Sequence, residues 1–324
     1  MSESSRWSFP SQLQPAQSEL SFDLKSALDA VVALRAEVPD DAFTASILGT
    51  ERLGNGVVIR DDGLVLTIGY LITEATSVWL TGNDGAVLQG YPLAYDFATG
   101  FGLVQPLGRA SWPVIRRGSA DAVAQEDDVI VIGHGGRAHA LKATLFAKRE
   151  FAGYWEYLLD EALFTTPPHP EWSGTALLDE DGQLIGIGSL LLQEKSGDET
   201  VDGNMFVPVD LLEPIIDDLL RTGRAAGPRR PWLGMYTADT QGRLVVNGVA
   251  TGGPAERAGV AAGDLIVAVA GERVTSLAEL FRQIWAQGPA GTEVALTLAR
   301  SGTPLHLRVR STDRDELLKK PSLQ

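Results

Sequence analysis

Ser173, in the segment EWSGTA, is of a residue type that could serve as a nucleophile. A serine hydroxyl is a weak nucleophile near neutral pH and needs an adjacent base, itself oriented by an acid. Four histidines are available: His134 and His139 in GHGGRAH, His169 four residues before Ser173, and His306. The first three could form a replacement base or a metal set. The five-residue spacing of His134 and His139, with Gly135 and Gly136 between them, predicts a loop rather than the helical pair of a zinc protease, so no metal or other cofactor is expected. His306 falls in a late strand and reads as surface. The absence of cysteine excludes disulfides, thiolate-zinc sites and a cysteine nucleophile. With 42 acidic against 27 basic residues, the net charge of −15 opposes DNA or anionic lipid, and no nucleic-acid partner is expected.

The elements that must position these groups are short. Val31–Val38, Gly56–Ile59, Leu64–Thr67, Ser77–Thr81, Val129–Ile132 and Leu184–Ile187 read as strands. Asp-Gly turns at Asp61–Gly63, Asn83–Gly85 and Asp179–Gly182 punctuate them. Many short strands at hairpin spacing with no long helix between them predict antiparallel barrels, a mainly β chain. A helix follows over Val209–Arg221, starting near Leu212 or Glu213 because Pro214 fits only a first turn, and ending at Gly223. Arg221–Pro231 is Gly/Pro-rich and basic, as a linker is. Beyond Trp232 a small α+β module is predicted, with strands at Leu244–Val249, Leu265–Val269, Glu293–Leu298 and Leu305–Val309. Its helix runs over Ser276–Gln287, with Ser276 as N-cap and Glu279 in the capping-box position.

This order resembles the HtrA (DegP-like) family of trypsin-like serine proteases from about residue 30 to 312. GNGVVIRDDGLVLT (Gly54–Thr67) is similar to the family's opening hairpin, DEDGQLIGIGS (Asp179–Ser189) to the hairpin after its nucleophile, and MFVPVDLL (Met205–Leu212) to the exit from its second barrel. The resemblance implies a trypsin-like double β-barrel followed by a PDZ domain. It also implies a degenerate triad. Tyr70 stands where the family has histidine, Gly100 where it has aspartate, and Asp96 matches a different, non-catalytic position. The motif Gly-Asn-Ser-Gly-Gly-Pro becomes EWSGTA, keeping Ser173 and Gly174 but not the residues at Glu171, Trp172, Thr175 and Ala176. A phenol with a pKa near 10 is a poor base at pH 7, and Gly100 has no side chain to orient one. Disabling such a unit typically costs about 10⁴–10⁶ in turnover. Glu171 and Trp172 also replace small residues whose amides form the oxyanion hole. His169, at the family's asparagine position, is the alternative base; otherwise Ser173 is an inherited turn serine. Trp172 and Trp155 could line a remodelled groove, although for Trp155 the core is favoured.

The PDZ resemblance rests on RPWLGM (Arg230–Met235) and on GGPAERAGVAAGDLIVAVAGERV (Gly252–Val274), the most specific motif in the chain. Backbone amides around Gly234 can face a peptide carboxylate, and the next strand offers its edge for pairing. The resemblance places peptide contacts at Trp232, Leu233, Gly234, Met235, Leu280 and Ile284.

The expected organisation is a flexible arm (1–25), a double barrel (26–222), a linker (223–231), a PDZ domain (232–312) and a tail (313–324). The expected function is a pseudoprotease that binds peptide or protein C-termini and unfolded segments as adaptor, scaffold or chaperone-like factor. The alternatives are a rewired serine endopeptidase around Ser173 and a histidine metal-binding barrel. The family implies trimers, for which Trp7, Phe9 and Phe22 are the arm's aromatic residues. No apolar stretch approaches the roughly 20 residues of a transmembrane helix. MSESSRWSFPSQLQPAQSEL has no basic start followed by an apolar core. A cytoplasmic chain is therefore expected, or a periplasmic one if this is a processed end.

Overall fold

The computed structural model describes residues 7–109, 111–196 and 199–320. Two compact units are present: residues 1–149, 161–225 and 319–324, and residues 150–160 with 226–318.

The first unit holds two closed six-stranded antiparallel barrels. One comprises β1 (Val31–Glu37), β2 (Glu51–Val58), β3 (Val65–Ile68), β4 (Ser77–Thr81), β5 (Val87–Tyr95) and β6 (Phe101–Pro106), closing in the order β1-β2-β3-β6-β5-β4. The other comprises β7 (Asp128–Ile132), β8 (Ala140–Gly153), β9 (Tyr157–Thr166), β10 (Ala176–Leu178), β11 (Leu184–Ser196) and β12 (Glu199–Pro208), closing as β10-β11-β12-β9-β8-β7. The second order repeats the first. Closure leaves neither barrel with an unpaired edge, and Phe101, Phe164 and Phe206 are fully buried. The Asp-Gly turns close as read, with Gly63, Gly85 and Gly182 at φ 84°, 81° and 75°. The helix after β12 begins later than Pro214 alone implies. A 3-10 turn over Val209–Leu211 comes first, and the α-helix is Ile216–Thr222, ended by Gly223 at φ 75°.

The N-terminal segment departs from the flexible arm the sequence suggested. Phe9 N donates to Ala138 O at 3.0 Å and Lys142 N to Leu13 O at 2.7 Å. Phe9 and Leu13 pack on a second-barrel core of Val131, Leu141, Leu163 and Phe206. Apolar side chains spaced along a Ser- and Pro-rich stretch are enough to anchor it.

The second unit is a sheet of β13 (Met235–Thr240), β14 (Arg243–Val249), β15 (Leu265–Val269), β17 (Glu293–Arg300) and β18 (Thr303–Arg310), with β16 (Glu272–Arg273) paired to β15. Its main helix is Leu277–Ala286, where Ser276 Oγ accepts from Glu279 N at 3.2 Å as predicted. Glu279 reaches one residue further back than a capping box requires, to Thr275 N at 2.8 Å. Asp264, in the Gly-Asp of the PDZ motif, is buried and takes two bonds from Arg300 at 2.7 and 2.8 Å. Its role there is structural. Residues 150–160, the far end of the β8–β9 hairpin that the sequence reading kept with the barrel, group with this unit, and Trp155 there is not barrel core: it stacks on Tyr157 at 5.7 Å and stays partly exposed.

Candidate functional site

Tyr70 and Ser173 meet, Oη to Oγ, at 2.7 Å. Tyr70 also donates to Ser189 O at 2.7 Å. A phenol has one proton. Since the carbonyl can only accept, that proton is directed to Ser189 O and Ser173 must donate to Tyr70. Burial pushes the phenol up to about 12, against the bonds from Ser173 and Trp172. The phenolate needed to act as base is then about 10⁻⁵ of the population at pH 7. Gly100 is tied to the turn that carries Tyr70: its carbonyl accepts from Gly69 N at 2.7 Å, and its own φ is 85°. Asp96 does not face the pair. Its Oδ2 caps its own turn through Thr99 N and Thr99 Oγ1, both at 2.8 Å.

Buried Arg52 fixes the loop that carries Tyr70, donating through Nη1 to Tyr70 O at 2.6 Å and Thr73 O at 2.9 Å. Asn55, also buried, ties the first barrel to the serine loop. Its Nδ2 donates to Glu171 O at 2.9 Å and Ser173 O at 3.1 Å, while its Oδ1 accepts from His134 N at 2.7 Å. Gly174, at φ 76°, sits so close that a Cβ there would lie 1.9 Å from Asn55 O. A cleft of about 470 Å³ opens beside this seam, lined in part by Leu53, Asn55, His134, Glu171, Trp172 and Ser173.

His169 is fully buried and both ring nitrogens face backbone. Glu171 N donates to Nδ1 at 3.1 Å, which leaves the proton on Nε2 to be donated to His139 O at 3.0 Å. Burial pushes this imidazole down to about 4. Trp7 and Phe9 pack against its ring at 5.4 and 5.2 Å, and Trp7 Nε1 donates to Glu171 Oε1 at 3.0 Å. Among the described residues, no group of three His, Cys, Asp or Glu side chains is placed to hold a metal ion.

In the second unit the six residues named for peptide contact fall together. Leu233, Met235, Leu280 and Ile284 share one buried core, and Trp232 pairs with Thr312 through both backbone bonds, at 3.0 and 3.1 Å. The amides of Leu233, Gly234 and Met235 converge, as a carboxylate loop requires, on Glu156. Its Oε1 takes Gly234 N at 2.7 Å and Met235 N at 3.0 Å, and its Oε2 takes Leu233 N at 3.1 Å. Burial pushes the Glu156 carboxyl up to about 7, with the three amides and Arg314 pulling the other way. Sequence reasoning missed Glu156 and Asn55. Glu156 lies in an unremarkable GYWEY turn, and only a search for a free acidic residue that could reach the amide loop would have singled it out. Asn55, inside the GNG of an opening hairpin, carried no signal beyond its type.

A family model described as a trypsin-like peptidase domain matches residues 54–187, and one described as a PDZ domain matches residues 245–300. A DegP-like periplasmic serine endoprotease of Chlamydia trachomatis is 25% identical over 277 residues, covering 80% of this chain and 54% of that protein. The chain thus spans about half the length of that relative. The periplasmic pH-dependent serine endoprotease DegQ of Escherichia coli is 27% identical over 317 residues, covering 88% of this chain and 68% of DegQ. Among solved structures, the HtrA-type protease AlgW with a decapeptide has a TM-score of 0.53 at 18% identity, covering 93% of this chain and 100% of that one. The serine endoprotease of Yersinia pestis has a TM-score of 0.51 at 22% identity, covering 91% and 99%. These structural likenesses carry the fold. The relatives are periplasmic by name, which overturns the expectation of a cytoplasmic chain. That expectation rested on the composition of one N-terminal stretch, and composition there does not record the compartment.

Proposed function

Given that this chain belongs to the HtrA-like family, with a trypsin-like double barrel and a PDZ domain, we propose that it is a catalytically disabled member that works by binding peptides in the periplasm. One observation carries this reading: Ser173 donates its proton to a phenol whose own proton is committed to Ser189 O. The hydroxyl has no base to give that proton to. The second donor expected of an oxyanion hole is also occupied, because the Glu171 amide faces His169. The convergent amides of Leu233, Gly234 and Met235 supply the capacity to bind a carboxylate. The ligand class is peptide or protein C-termini and unfolded segments. The family bond implies oligomers, but Trp7, Phe9 and Phe22 are engaged within their own chain, Phe22 against Gly182.

A rewired endopeptidase is the second reading, favoured by the placement of Ser173 on the 470 Å³ cleft. A fluorophosphonate probe separates the two. No labelling of Ser173 and no casein cleavage are expected of the purified chain; labelling that vanishes in Ser173→Ala would establish the endopeptidase.

A further inference from the structure

We propose that the turn Tyr154–Trp155–Glu156 is an internal ligand of the carboxylate loop, imitating a peptide C-terminus, so that an external C-terminal peptide binds only by displacing it. The inference rests on the peptide-binding reading above and names what competes for that site.

The imitation has two parts. The Glu156 carboxylate takes the three amides of Leu233, Gly234 and Met235, the place of a terminal carboxylate. Two residues earlier, Tyr154 O accepts from Thr237 N at 3.1 Å, on the edge of β13 that β14 leaves free. Met235 and Thr237 are two apart, so their amides point to the same edge. That is the main-chain pattern of a strand added beside β13 and ending in a carboxylate. Leu158, nearly buried, joins the apolar cluster of Leu233, Met235, Leu280 and Ile284, where the last side chain of a bound peptide would go.

The turn is held from outside as well as within. Arg282, on the helix Leu277–Ala286, bridges Glu150 and Asp160, the two flanks of the turn. Arg314 donates to Trp155 O at 3.4 Å. Yet Glu156 occupies φ 61°, a left-handed conformation that non-glycine residues adopt only when their surroundings compel it. The contacts hold a conformation that the free turn would leave. A tethered ligand acts at high effective concentration, so it weakens a competing peptide in proportion to how fully it occupies the loop.

The test uses the full chain, wild type and Glu156→Ala, with a fluorescein-labelled decapeptide ending in leucine, as free acid and as C-terminal amide. Backbone hydrogen exchange is read in parallel. The expected result is at least a tenfold tightening of free-acid binding in Glu156→Ala, no tightening for the amide, and at least tenfold faster exchange at Gly234, Met235 and Thr237. Glu156→Gln, whose carboxamide oxygen can still accept from the loop, should fall between. Unchanged exchange at those amides, or equal free-acid affinity in wild type and Glu156→Ala, overturns the internal ligand. Faster exchange with no peptide bound by either protein upholds the internal ligand and instead overturns the peptide-binding reading.

Discussion

The backbone amide of Glu171 donates to Nδ1 of His169 across 3.1 Å, turned inward where an active serine loop would turn it toward substrate. On the reading proposed above, restoring the triad residues is therefore not expected to restore activity. Loss of one oxyanion donor alone costs about 10²–10³ in turnover, and Gly100→Asp places a side chain at φ 85°. The double change Tyr70→His with Gly100→Asp is expected to leave casein cleavage at background. Robust cleavage by that variant would show that the hole forms after all.

The phenol of Tyr70 bridges two groups, so its removal should be felt more than that of its partner. Tyr70→Phe orphans both Ser173 Oγ and Ser189 O and should destabilise by about 1–3 kcal/mol. Ser173→Ala keeps the bond from Tyr70 to Ser189 and should cost less than half as much. Urea titrations of the two variants compare them directly; equal losses would show that the bridge is not made.

Gly174 should be nearly irreplaceable. Gly174→Ala puts a methyl 1.9 Å from Asn55 O at φ 76°, whereas Gly136→Ala, at φ 74°, meets nothing within 4 Å. The second variant isolates the conformational strain, on the order of 1 kcal/mol. The first adds a backbone collision and should cost above about 4 kcal/mol or abolish soluble expression. Similar melting temperatures for the two would refute the close approach.

Acid should act on the two units with opposite sign. His169 is held near 4 while the unfolded imidazole titrates near 6.5, so the unfolded chain binds a proton first as pH falls. Stability from this group is complete above pH 6.5 and is lost toward pH 4, by up to about 3 kcal/mol. His139 and Glu171 are the titratable neighbours there. Glu156 is raised to about 7 from 4.5, with Arg314, Tyr236 and Tyr154 around it. Its folded form binds the proton first, so the turn is held more firmly as pH falls from 7 to 4.5. Hydrogen exchange, corrected for intrinsic pH dependence, should show protection falling at His169 and rising at Gly234 across those windows. Parallel changes at both amides would contradict the assignment.

Strand placement was legible because period and punctuation are local: Ser77–Thr81 and Leu265–Val269 appear at the bounds their sequence implied. The meeting of Tyr70 with Ser173 was reachable only through family resemblance, since 103 residues separate them. What could not be read was competition among polar groups. Nothing in the residue types of Glu171 and His169 says that the amide of one would turn to the ring of the other. Nor does a turn sequence such as GYWEY announce that its glutamate will find three amides some 80 residues away. The arm was misjudged for a related reason, because polar composition hid how well Trp7, Phe9 and Leu13 are spaced to anchor it.

The contact of Gly174 with Asn55 O bears on how a sequence like this one drifts. A position that admits no side chain cannot wander, whatever becomes of the chemistry beside it. The Ser-Gly pair is thus kept in place by masonry: the glycine because the two barrels abut there, the serine because it completes a bridge to Tyr70. Such a pair survives as a signature of ancestry and assembly, and its presence in a chain is silent about turnover.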